Sequence, residues 1–84
     1  MGTVKVTINS TSWTEVGAGP LYVEAPSDLL NGVYLSFGST APTLNTEAYH
    51  RLHRGGPYFS YGGTEKCFAR SAHGDAFVIA TGGI

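Results

Sequence analysis

Apolar and polar residues alternate along most of this chain. In TVKVTIN, Val4, Val6 and Ile8 fall on one side of an extended backbone and Thr3, Lys5 and Thr7 on the other, the period-two pattern of a half-buried strand. SWTEV continues with Trp13 and the β-branched Thr14 and Val16, and GAGP breaks the chain. LYVEA sets Leu21 and Val23 against Tyr22 and Glu24, and GVYLSFG sets Val33, Leu35 and Phe37 against Tyr34 and Ser36. EKCFARS and the apolar AFVIAT are further strands. Ahead of EKCFARS, EAYHRLHRGGPYFSYGG reads as two strands joined in a hairpin by a Gly-Gly-Pro turn.

The connections carry turn chemistry. PSDLLNG has the composition of a turn, with room for one helical turn around Leu29 and Leu30, and HGD reads as a tight turn carried by Gly74. STAPTLNTE is the longest polar connection. No window holds a helical period, and turn signals recur every eight to twelve residues among twelve glycines and four prolines. The expected fold is all-β: one antiparallel β-sandwich or barrel of about 7–8 short strands, a single domain over residues 1–84.

Length and charge narrow the function. Small domains usually draw extra stability from disulfides, a metal or oligomerisation. With one cysteine, Cys67, an internal disulfide is excluded, and self-association is the expected route. Five basic against six acidic residues leave no basic stripe for nucleic acid. No apolar run is long enough to cross a bilayer as a helix. MGTVKVTINS lacks the blocks of a signal peptide, so the Asn9-Ser10-Thr11 sequon is read as coincidence.

Candidate chemistry is sparse. His50 and His53 are three apart and His73 lies twenty further on. Strand residues on one face are two apart, and strong zinc signatures need paired ligands. Neither metal nor cofactor is expected, although a threefold axis would gather three copies of one histidine. A Cys67–His pair would be a hydrolase nucleophile. Cys67 and Ala69, however, share one strand face as small packed residues, and no nucleophile elbow or phosphate loop is present. The expectation is a non-enzyme. YHRLHR followed by PYFSY interleaves basic and aromatic groups as single-strand binding requires, against a near-neutral charge.

Five Tyr, four Phe and one Trp exceed what so small a core hides. Tyr and Arg are favoured at protein contacts, because each offers a large area with a polar tip. Tyr49, Arg51, Arg54, Tyr58 and Tyr61 are therefore the expected protein-binding residues.

The order of features also resembles the small β-rich virion proteins of tailed bacteriophages. Trp13, Gly19-Pro20, Val33 to Phe37, Pro42, Gly55-Gly56, Tyr61-Gly62, Phe68-Ala69-Arg70 and Ala76 to Thr81 occupy the slots of that pattern. The resemblance implies a structural component of the virion, assembled in the bacterial host cytoplasm. The foremost expectation is a trimeric capsid decoration (cement) protein that binds the major capsid protein in the assembled shell. The alternative is a carbohydrate- or receptor-binding module of a head fibre or tail spike, with exposed Tyr and Trp13 stacking on sugar rings.

Overall fold

A computed structural model describes residues 2–25, 32–44, 46–52, 58–72 and 74–82. Its strands are β1 (Thr3–Ile8), β2 (Thr14–Ala18), β3 (Leu21–Glu24), β4 (Val33–Gly38), β5 (His50–Leu52), β6 (Tyr58–Tyr61), β7 (Lys66–Ser71) and β8 (Ala76–Gly82). They form two four-stranded antiparallel sheets, ordered β1-β8-β3-β6 and β2-β7-β4-β5. Among the described residues each sheet keeps two unpaired edges, so the fold is a sandwich and not a closed barrel.

The pairing is nested. β1 meets β8, β2 meets β7, β3 meets β6 and β4 meets β5, as though one long hairpin had been rolled up on itself. Such a two-sheet, eight-strand roll is the jelly-roll arrangement. It corrects one expectation: β5 and β6 are not a hairpin, because β5 pairs with β4 in one sheet and β6 with β3 in the other. The Gly55-Gly56-Pro57 turn, the turn around Leu29 and Leu30, and His53, Arg54 and His73 lie outside the described residues.

The inner rows follow the alternation. Ile8, Leu21, Val23, Val33, Leu35, Leu52, Cys67, Ala69, Val78 and Ala80 are buried between the sheets. Small Cys67 and Ala69 on central β7 leave room for the larger Val33, Leu35 and Phe37 on β4. Near edge strands β5 and β6, an aromatic group packs between the sheets: Phe37 lies 5.5 Å from Phe59 and 4.1 Å from Tyr61, and His50 stacks on Phe59 at 5.4 Å.

The connection from β1 to β2 is held by one side chain. Asn9 Oδ1 accepts hydrogen bonds from the backbone N–H and hydroxyl of both Thr11 and Ser12, at 2.9 to 3.1 Å. The Asn9 carbonyl meanwhile accepts the N–H of Ser71, tying this knot to β7. Asn9 thus does structural work through the acceptor end of its amide.

Candidate functional site: a cation–aromatic layer on one sheet face

The outer face of the β2-β7-β4-β5 sheet is built around Tyr34. Alternation sends Tyr34 outward from β4, and the register sets it directly opposite Arg70 of β7 on one side and Arg51 of β5 on the other. Directly opposed side chains on antiparallel strands lie close enough to interact. The Arg70 guanidinium carbon sits 4.9 Å from the Tyr34 ring centroid and that of Arg51 5.5 Å. Arg70 also reaches Trp13, 5.4 Å from its ring.

Two connections complete the layer. The Asn9 knot precedes Trp13 and turns the Ser10 carbonyl toward Arg70, whose Nη1 donates to it at 3.1 Å. The connection between β4 and β5 folds back over the sheet, where Ser36 Oγ donates to the Ala48 carbonyl at 3.0 Å and Trp13 Nε1 to the Thr43 carbonyl at 3.1 Å. Tyr49 is thereby laid against Tyr34, with ring centroids 4.5 Å apart, and within 6.4 Å of Trp13. Ser36 faces outward and is buried all the same, because this segment covers it.

The electrostatics are one-sided. Among the described residues the single ion pair is Glu15–Lys66 at 3.8 Å, half exposed at both ends, worth at most about 1 kcal/mol. Arg51 and Arg70 have no carboxylate partner there, and Arg70 Nε is buried without a hydrogen-bond partner. Ring faces compensate them in part, at about 0.5–2 kcal/mol each. The layer offers the exposed Arg51 guanidinium, with the half-buried Arg70 beside it on an aromatic base, to a carboxylate from an approaching surface.

The five residues expected at a protein contact do not share one surface. Tyr49 and Arg51 belong to the layer. Tyr58 stands on the outer face of the opposite sheet, 59 % exposed and stacked on Tyr22 at 6.3 Å. Tyr61 turns inward against Phe37, and its hydroxyl accepts the Glu65 N–H at 3.3 Å. Gly19 and Gly63 leave space for its ring, which a Cβ at either position would strike. Tyr34 and Arg70 were not in the expected set. Their outward phase is legible in each strand, but the register that joins them is not.

Cys67 is fully buried on the inner row, and burial pushes its thiol up to about 12. It stays protonated at neutral pH and so lacks the thiolate that a Cys–His nucleophile needs. His50 lies on the inner face of β5 against Phe37 and Phe59. Among the described residues no three His, Cys, Asp or Glu side chains converge. Comparison with protein-family models, characterised proteins and solved structures gives no match to this chain.

Proposed function

We propose that this chain is an adhesive structural protein of a bacteriophage virion, a decoration protein that binds the assembled shell through the outer face of the β2-β7-β4-β5 sheet and self-associates. The supporting observation is the Arg51–Tyr34–Arg70–Trp13 layer with Tyr49 laid over it. Arg, Tyr and Trp are the residues that dominate binding energy at protein contacts, and here hydrogen bonds and packing hold them in place before any partner arrives. Viral capsid domains use jelly rolls, a likeness of fold alone, since the same architecture also serves lectins and cupins. Binding only the assembled shell would stabilise that shell by mass action.

The carbohydrate-binding alternative calls for a ring face open to a sugar. Trp13 and Tyr34 already carry Arg70 and Tyr49 against them, while the exposed tyrosine among the described residues, Tyr58, is on the other sheet. These contacts favour the protein-binding reading. Co-sedimentation with phage particles stripped of the protein tests it: the wild-type chain should pellet with shells and raise their heat resistance. Arg51→Ala and Tyr49→Ala should weaken both without unfolding the chain. Particles that keep their heat resistance but lose host attachment when stripped would favour the receptor-binding alternative instead.

A further inference from the structure

Among the described residues the two sheets leave four strand edges, and three of them are blunted. β5 has three residues and β6 four, and β2 carries a register shift between Glu15 and Gly17 beside the Glu15–Lys66 pair. Short strands, bulges and charges are the usual protections against strand addition. β1 has little of this. Its six residues run in unbroken register with β8, from Thr3 opposite Thr81 to Ile8 opposite Ala76, with no proline. Its one charge, Lys5, rests over the Phe77 ring on the outer face, Nζ 4.5 Å from the centroid.

The ladder fixes which backbone groups are free. Gly82 donates its N–H to the Gly2 carbonyl, so Gly2, Val4, Val6 and Ile8 bond toward β8. The N–H and C=O groups of Thr3, Lys5 and Thr7 then point out from the edge. Val4 belongs to the inner row yet is 54 % exposed. It stands at the mouth of an apolar cavity of about 280 Å³, walled by Val16, Leu21 and Ala80.

We propose that β1 is a self-pairing edge: a second copy of this chain adds its own β1 antiparallel about a twofold axis at Val4. The two β1-β8-β3-β6 sheets then run on as one eight-stranded sheet. A second β1 brings matching outward donors and acceptors and a valine on the same face. An axis at Lys5 would oppose two like charges. An axis at Val6 would set Val4 against Ile8, which is already 0 % exposed and gains no burial. An axis at Val4 opposes Thr3 to Lys5 and covers the exposed valine of both copies. This pairing gives a dyad where the resemblance implied a trimer, and it does not depend on a virion role.

Sedimentation velocity of the purified chain tests the proposal. A dimer is expected, and Lys5→Pro should convert it to a folded monomer, because proline there removes an outward N–H and no ladder bond. Val4→Cys should form a disulfide-linked dimer under mild oxidation, since directly opposed, non-hydrogen-bonded positions fall within disulfide reach. Val6→Cys, facing Gly2 of the other copy, should not. A wild-type chain that stays monomeric at high concentration, an oligomer untouched by Lys5→Pro, or cross-linking through position 6 in preference to position 4 would each overturn it.

Discussion

Arg70 and Tyr34 stand directly opposite each other on neighbouring strands, with the guanidinium carbon 4.9 Å from the ring centroid. The pair joins the two central strands of its sheet on the outer face, while Arg70 Nη1 reaches the Ser10 carbonyl. A double-mutant cycle of Arg70→Met and Tyr34→Leu should give a coupling of about 0.5–1 kcal/mol in urea unfolding. Additive effects would mean that the pair is mere proximity.

Asn9 is a separate test of how the layer is held. Its side-chain oxygen accepts four hydrogen bonds, so Asn9→Ala should cost about 1–2 kcal/mol. Asn9→Asp, which retains the acceptor, should cost much less. The Trp13 fluorescence maximum should shift in the alanine variant, because the knot sets the path into Trp13.

The two tyrosines of β6 should behave oppositely. Tyr61→Ala removes a ring packed on Phe37 and should destabilise by about 2–4 kcal/mol. Tyr58→Ala on the exposed face should change stability by only about 0.5 kcal/mol. Thermal unfolding of both variants decides this, and equal losses would contradict their placement on opposite faces.

Cys67 gives stability an alkaline limit. Its thiol is raised by burial from 9.0 to about 12 in the folded chain, so its contribution is complete below pH 9. Above that the unfolded chain releases a proton that the folded chain keeps. Stability therefore falls with rising pH by roughly 1.4 kcal/mol per unit until the folded thiol also ionises. Comparison with Cys67→Ala across pH 8 to 11 isolates this slope, which the variant should lack. A thiol reagent at pH 7.5 should likewise label wild-type protein only after denaturant is added.

Much of the fold was legible in the alternation. Val33 and Leu35, Cys67 and Ala69, and Leu21 and Val23 face inward as their spacing required. Phe68 departs from it: buried on the outward phase of β7, it sits in register with Glu15 and Ser36. Alternation reports a face, whereas burial also depends on what neighbouring segments lay over it. The hairpin reading of residues 47–63 failed for a related reason. A glycine-proline turn says that the chain reverses, not which sheet the next strand joins. The candidate surface was half legible, because Tyr49 and Arg51 lie together in sequence while Tyr34 and Arg70 meet only through the register.

The nesting of the strands also orders their assembly. Leu35 meets His50 fifteen residues along the chain, whereas Thr3 meets Thr81 only when nearly the whole chain has been gathered in. Closing the inner pairs first shortens the loop left for each outer one, so formation should proceed from the β4–β5 end outward, slowly for a chain of this size. Hydrogen exchange should show the same order in reverse. In the Lys5→Pro monomer, protection is expected to be greatest on β4 and β7 and to fall toward β1, which makes the outermost pair of the roll the first place where solvent enters.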